Sequence, residues 1–547
     1  MPENSTIAAN RSRLCRALAL LLTERPSVTG SGDEASFGPW LASQLRGRAE
    51  FGPDPEIWTF PVVEGDPRHV VAMLARKGGR RTVVLTGHYD TVTVADYGDL
   101  APLATRPEEL LDALAARLAK ARPDTAEARA RDDFATGRYL PGRGLLDMKA
   151  GLAAGLAAMA SLISDPELAQ GNLLFLAVPD EENASAGARA AAAQLAEIAA
   201  GRGLDIAAVI NLDAIADDGD GSDGRVIALG TVGKVLPTAF VVGVPVHSGF
   251  PLRGISAAVL AAAIARRMEW APELTDDSAG IPGTPVSLLS LRDGKTGYDV
   301  TTPGTAFATW NVLSHRRDPA GILDIVTALA QEAVAECLAD MKLRAARSGQ
   351  QAGLVAGTPE VPVLHYSELL AEVRAIQPDI DDELETSAQN LRDSGLSLPD
   401  RCHALTAELW SRARRAGPAV ILGLGSIPYL ASELDDPAVR GAVDAVVARA
   451  PRVHGTDLRA VQYFAGISDM SFFGQIRAGS LDALARETPG WASLVGLSPK
   501  GLPVLPTLNL GPWGRDYHTP LERIETGYGF DILPGLLCDL TQRILSR

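Results

Sequence analysis

The chain has 547 residues, 46% of them hydrophobic and 22% charged, with a formal net charge of −16. That length exceeds one ordinary core and predicts two domains or more, while the composition is that of a globular protein. The negative charge argues against nucleic acid or an anionic membrane as partner, and the four cysteines, Cys15, Cys337, Cys402 and Cys538, lack paired spacing and so fit a reduced, cytoplasmic protein with no disulfide or thiolate framework.

The opening run LCRALALLL is short and carries Arg16. It reads as an amphipathic helix rather than a signal peptide, and no apolar run reaches the ~20 residues that span a bilayer. Further on, strand-like and helix-like segments alternate. Thr82 to Leu85 is a short buried strand, Gly151 to Ile163 an Ala/Leu-rich helix, Leu173 to Val178 a strand, Ala184 to Ala200 a helix and Ala207 to Leu212 a strand. This order predicts an α/β fold, with a mostly parallel sheet and helices on both faces. A polar insertion between Ala95 and Leu140 contains a helical segment, PEELLDALAARLAKA. Lid, oligomer contact and surface decoration are all open readings for it.

Asp217 to Gly224 (DDGDGSDG) is a loop by composition. It lacks the later bidentate Glu of a calcium loop and reads as a hinge. Beyond it, FVVGV, the helix Ile255 to Met268, the strand TAFATWNVLSH and the long helix Ala320 to Arg347 form a small α+β domain, and SGQQAGLVAGTPEVP is a linker back. The expected organisation is therefore a catalytic domain in two parts, 1–224 and 351–547, with an inserted lid or dimerisation domain at 225–350.

Several apolar runs end abruptly in polar, ligand-type residues. Strands of an α/β sheet present their sites in this way, where strand gives over to loop. In TVVLTGHYDTV, His88 and Asp90 stand two apart and point to the same side of an extended chain. Asp90 can then accept a hydrogen bond from the His88 ring nitrogen that does not face a metal. In GRGLLDMKAG, Asp147 precedes a helix, where it reads equally as an N-cap or as a bridging carboxylate. Asp180 to Glu182 follow the buried strand LLFLAV. Three adjacent acids there are electrostatically expensive unless one binds a cation and another carries a proton. Asp213 in VINLDA and His518 in GRDYHTPLE are weak signals alone, and in isolation each reads as an ordinary loop residue. Imidazoles and carboxylates without thiolate suit zinc, with cobalt or manganese as substitutes.

The ordered set resembles the two-zinc aminoacylase and exopeptidase family of aminoacylases, carnosine-type dipeptidases, glutamate carboxypeptidases and succinyl-diaminopimelate desuccinylase. That family has HxD, a G-x-G-x-x-D-M-K-like motif, EE, D/E and a late H, and the opening LLTERPSVTGSGDE looks like its N-terminal signature. The length, the insertion and YFAGISDMSFF resemble its bacterial arginine-utilisation (RocB-type) branch. The resemblance implies that His88 and Asp213 hold one zinc, Glu182 and His518 the other, and that Asp147 bridges both. It makes Asp90 the support of His88 and Glu181 the general base and acid for a bridging hydroxide. It also places His247, in VGVPVHSGFPLRG, at the oxyanion, often in a neighbouring subunit's site, and Asn311 near the substrate. Where the family has D-x-R this chain reads His315-Arg316-Arg317, leaving Arg317 as the candidate grip on a substrate carboxylate.

The expected function is a zinc-dependent amidohydrolase of the aminoacylase or dipeptidase type. Its substrate would be a small peptide or N-acyl amino acid, within amino-acid and specifically arginine catabolism. The expected partners are that substrate and a second copy of the chain through the inserted domain. Two rivals stand beside it. One is a catalytically silent homologue that binds an amino-acid derivative. The other is a two-metal phosphoesterase, which would need basic clamps, with Arg143, Lys149 and Arg515 the candidates near the site in sequence.

Overall fold

The strand Arg81–His88 reads RTVVLTGH and is buried from Thr82 to its end, which requires cover on both faces. In the computed structural model of the protein, which describes residues 5–52, 55–164, 171–276, 283–348, 360–464, 466–497 and 502–546, it lies inside an eight-stranded sheet. Its parallel neighbours are Asn172–Val178 and Asp205–Asn211, and the latter pairs in parallel with Thr507–Asn509. His69–Arg76 and Glu56–Pro61 extend one edge as antiparallel strands. Val226–Ala228 and Arg459–Val461 extend the other.

Successive residues serve opposite faces. Val83, Leu85 and Phe175 share a core with Ala153 and Ala157 of the helix Ala150–Ser164 and Leu537 of the helix Leu533–Leu545. Val84, Leu174 and Leu176 are as deeply buried and face the side on which Ala186–Arg202 packs. This is the α/β architecture expected. The central strands all end on one side, so His88, Asp180 to Glu182 and Asp213 leave the sheet together. One stretch, Leu145–Ser164, is long and apolar enough by length and composition to cross a membrane, but 83% of its window is buried within the protein. Asp147 and Lys149 interrupt it, which is why no unbroken apolar run stands out in the sequence.

The insertion is part of this first unit. Its helices Pro107–Leu118 and Ala126–Ala135 pack on each other and sink Leu110, Leu114, Leu118, Ala130 and Phe134 into the same core. A small sheet follows, ordered Tyr139–Pro141, Arg523–Glu525, Trp513–Arg515, Ile215–Ala216. It joins the end of the insertion to the His518 loop. The DDGDGSDG loop is closed by its own backbone: Asp217 accepts N–H groups from Gly219, Asp223 and Gly224.

The second unit comprises Val232–Ala431 and Ile476–Gly501, which moves the boundaries expected at 225 and 350. Its sheet runs Gly233–Val235, Thr305–Ser314, Pro237–Val242, Ala419–Leu424, Val363–His365, with Ser287–Asp293 also paired antiparallel to Thr305–Ser314. Residues 363–431, expected in the returning catalytic segment, thus belong to the second unit. The reason is local. Ala419–Leu424 reads AVILGL, is wholly buried, and completes the ladder beside Pro237–Val242. The first unit is Met1–Thr231, Ser432–Gln475 and Leu502–Arg547. Residues 349–359 of the expected linker lie outside the described residues.

In the second unit the helix Leu398–Arg412 buries His403, whose Nε2 lies 3.1 Å from Thr309 Oγ1 and whose ring packs on Phe307. Burial pulls its pKa from 6.5 to about 4. The folded state therefore resists protonation. Its stability is full above pH 6.5 and falls as the pH drops toward 4, by about 3 kcal/mol at the 1.36 kcal/mol per unit of linkage. In thermal melts across that window the wild type should lose stability more steeply than His403→Gln, and parallel slopes would refute the assignment.

Candidate metal centre

His88 closes its strand with the ring turned inward, 2% exposed. Its Nδ1 lies 3.0 Å from the backbone oxygen of Asp90 and 3.7 Å from the carboxylate Oδ1. The Nδ1–H therefore goes to the carbonyl, leaving the Nε2 lone pair for the site. This corrects the expectation that the Asp90 carboxylate supports the ring. That carboxylate accepts from Thr29 Oγ1 at 2.9 Å and from the backbone N–H groups of Glu181 at 3.1 Å and Glu182 at 3.2 Å. It ties the His88 loop to the Glu181 loop. Thr29 belongs to the N-terminal segment, which docks through Thr29 N–H to the Thr91 carbonyl and Thr91 N–H to the Ser27 carbonyl, both at 3.0 Å.

Asp147 is no helix cap. Its Oδ1 lies 3.1 Å from His88 Nε2, and its Oδ2 lies 3.1 Å from His518 Nε2. The preceding turn comes very close to the His88 loop: Gly144 has φ 75°, and a Cβ there would stand 2.3 Å from Thr91 Cγ2. The turn is held by Glu522, which accepts the Gly144 N–H at 3.0 Å and Arg143 Nη1 at 2.6 Å. Arg143 also donates to Asp96 at 2.7 Å and the Thr93 carbonyl at 3.1 Å.

The remaining donors complete two groups around Asp147. On one side Asp213 Oδ1 lies 3.7 Å from His88 Nε2. On the other, Glu182 lies 3.1 Å from His518 Nε2. Glu181 Oε2 is 3.8 Å from His88 Nε2. Asp180, the third acid of the run, is turned away and paired with Arg68 at 2.5 Å. Two further residues went unread in the sequence. Asn509 brackets Asp213, accepting its N–H at 3.1 Å and donating to its carbonyl at 2.9 Å. Asp469, in the SDMSFF stretch, is a buried carboxyl that interacts with His88 and Asp213. A strand-end Asn opposite VIN and an acid just ahead of the short apolar stretch MSFF are the only traces they leave.

The electrostatics follow from burial and crowding. Burial, then repulsion from Asp213, Asp469 and Glu182, drives the Glu181 pKa far above the carboxylate range, against the pull of His88. Glu182 and Asp213 are also raised, by burial first. Burial pushes Asp469 up to about 7. Asp147 is held below the usual carboxylate range despite burial, by its hydrogen bonds to His518 and His88. Against the opposing effect of burial, Asp147 and Glu182 raise His518 to about 10. Such a crowd of acids calls for cations. The donors fit them: two ligands of a tetrahedral zinc stand about 3.3 Å apart, given bonds of about 2.0–2.1 Å. One atom each from His88, Asp147 and Glu182 lie within 4.8 Å of one another.

The structure thus brings together His88, Asp90, Asp147, Glu181, Glu182, Asp213 and His518. His247, Asn311 and Arg317 belong to the second unit. His247 is exposed, with Nδ1 accepting the Gly249 N–H at 3.0 Å. Asn311 Oδ1 is buried without a hydrogen-bond partner. Arg317 Nη1 donates to the Thr275 carbonyl at 3.1 Å.

The chain is 30% identical over 535 residues to the Bacillus subtilis (strain 168) protein YqjN, across 97% of this chain and 96% of that one. Protein RocB of the same organism is 27% identical over 556 residues, 98% and 96% of the two. Among solved structures, a Staphylococcus aureus tripeptidase superposes with a TM-score of 0.52 at 15% identity, covering 98% of this chain and 99% of that one. The Sulfolobus solfataricus metallo-carboxypeptidase Sso-CP2 does so at 0.52 and 12%, covering 97% and 99%. At such identities the likeness shows a common fold. The profile of Peptidase family M20/M25/M40 matches residues 84–480, taking in the His88 strand, the Asp147 turn and the Glu181 loop, and the chain belongs to that family.

Proposed function

We propose that the protein is a hydrolase that cleaves an amide bond of a small peptide or N-acyl amino acid with two zinc ions, cobalt or manganese serving as substitutes. The observation that carries this reading is the sharing of Asp147, with one carboxylate oxygen 3.1 Å from each of two imidazoles. His88 and Asp213 would hold one ion, Glu182 and His518 the other, and Asp147 both. Bound ions supply Lewis acidity and a nucleophilic water at neutral pH.

The chain's own residues do the rest. Glu181 is the acid left over beside the donors, and its raised proton affinity suits a group that takes a proton from the attacking water and returns it to the leaving amine. The Asp90 carboxylate holds the Glu181 and Glu182 backbone in register. His247 would stabilise the oxyanion, from the same chain or from a second copy paired through the second unit, and Asn311 and Arg317 would meet the substrate. Amino-acid catabolism, and within it arginine, is the setting that the RocB likeness supports. Cysteines that form no disulfide among the described residues fit a reducing compartment, the cytoplasm.

The phosphoesterase reading loses support because its three candidate clamps are committed elsewhere. Arg143 is 1% exposed and bound to Glu522 and Asp96. Lys149 is fully buried and donates to the Arg25 carbonyl at 2.8 Å. Arg515 donates to the Gly219 carbonyl at 2.6 Å. The silent-homologue reading leaves the complete donor set and Glu181 without a task.

A hydrolysis screen separates the readings, using dipeptides, N-acyl amino acids including arginine derivatives, and phosphate esters. Amide cleavage is expected, abolished by chelation and restored by zinc or cobalt. Phosphate-ester cleavage alone, or binding with no turnover, would overturn the proposal.

Glu181→Gln should retain metal and lose on the order of 10²–10⁴-fold in rate, whereas Glu182→Gln should lose metal occupancy. Equal metal loss in both, by elemental analysis, would contradict this division of labour.

A further inference from the structure

The insertion between Ala95 and Leu140 takes no part in the chemistry above, yet it grips the loop that carries His518. Asp133, on the helix Ala126–Ala135, accepts from Arg523 Nε at 2.9 Å and Nη2 at 2.6 Å, with Arg515 Nη1 at 3.5 Å. Arg129, one turn earlier, places Nη2 3.2 Å from Asp516 Oδ1. Arg523 Nη1 reaches Asp516 Oδ2 at 2.6 Å. Asp516 is thus clasped between a guanidinium of the insertion and one that the insertion itself neutralises. Arg523 is fully buried, so Asp133 is the counter-charge that lets it stay there.

The loop needs such a clasp. Asp516 has φ 54° and His518 has φ 62°, in the left-handed region that residues with a Cβ adopt only where their surroundings over-determine it. The Thr519 N–H and hydroxyl both bond to the Asp516 carbonyl, at 3.2 and 2.7 Å, and close the turn. His518 is 43% exposed at its side chain, so apolar packing does little to aim it. Its direction comes from the turn beneath it.

We propose that Asp133 and Arg129 are positioning residues of the metal centre: through Arg523 and Asp516 they fix the turn that presents the His518 imidazole to Asp147 and Glu182. The inference rests on the two-metal reading of the preceding subsection. The insertion is then a brace for one of the two metal positions, neither a lid nor a decoration.

The test is metal binding by the full-length chain, stripped with chelator and titrated with cobalt in competition with a chelating dye, with thermal melting recorded alongside. Asp133→Asn and Arg129→Ala should leave one equivalent as in wild type and weaken the other by about 10-fold or more, as changes behind a metal-bound histidine do. Arg129→Lys, which keeps a cation beside Asp516, should bind close to wild type. Asp99→Asn breaks an exposed pair with Arg117 in the same insertion and should change neither equivalent. If Asp133→Asn is too unstable to purify, the half-exposed Arg129 decides through its Ala and Lys variants. Lower melting temperatures with both equivalents bound as in wild type would overturn the brace and leave the metal centre standing. Wild-type binding of both equivalents by His518→Ala would overturn the two-metal reading itself, and the brace with it.

Discussion

One carboxylate shared between two imidazoles sets the terms for the first unit. Asp147 can meet His88 and His518 at the same distance only if three separate backbones are held to within a fraction of an ångström. The sheet supplies the first, ending a buried strand on His88. The turn before Asp147 is the second, and it needs a glycine at Gly144 because Thr91 leaves no room for a side chain. The His518 loop is the third. Glu522, four residues beyond His518, bonds to the Gly144 N–H and to Arg143, so the second and third backbones are fastened to one another as well as to the sheet.

Acid crowding is the cost of this arrangement, and the surroundings show how it is contained. Arginines neutralise the carboxylates that have no part in the centre: Arg68 takes Asp180, Arg523 takes Asp133 and Asp516, and Arg143 takes Glu522 and Asp96. Among the described acids of the centre itself no guanidinium intervenes. The raised proton affinities of Glu182, Asp213 and, above all, Glu181 mark a place prepared for charge of another kind. Membership of the family and this local pattern point the same way by independent routes.

The central strands and the order of their polar ends were legible because apolar runs of three to six residues stop just short of His88, Asp180 and Asp213. Periodicity also marked the long helices of both units. What sequence could not show was where an interaction lands when backbone and side chain compete. The HxD spacing suggests a carboxylate for the His88 ring, yet the Asp90 carbonyl is nearer, and the carboxylate serves the Glu181 and Glu182 amides instead. Asn509 and Asp133 act on residues some 300 or more positions away, and no local pattern encodes such a reach. The domain boundary slipped for a similar reason. The strand Ala419–Leu424 is as apolar as any in the first unit, and its sheet is decided by a partner at Pro237–Val242.

The strand Thr507–Asn509 lies in the interior of the main sheet, between Asp205–Asn211 and Val226–Ala228. During synthesis those two neighbours leave the ribosome long before it does, separated from it by the whole second unit and the segment Ser432–Gln475. The nascent first unit therefore carries an open slot through its centre, with two unsatisfied strand edges, until the strand Thr507–Asn509 emerges. The same late segment brings His518 and the closing helix Leu533–Leu545. The full set of donors can therefore come together only after that segment has emerged, and a chain cut short before Thr507 is left with an unfilled sheet and without His518.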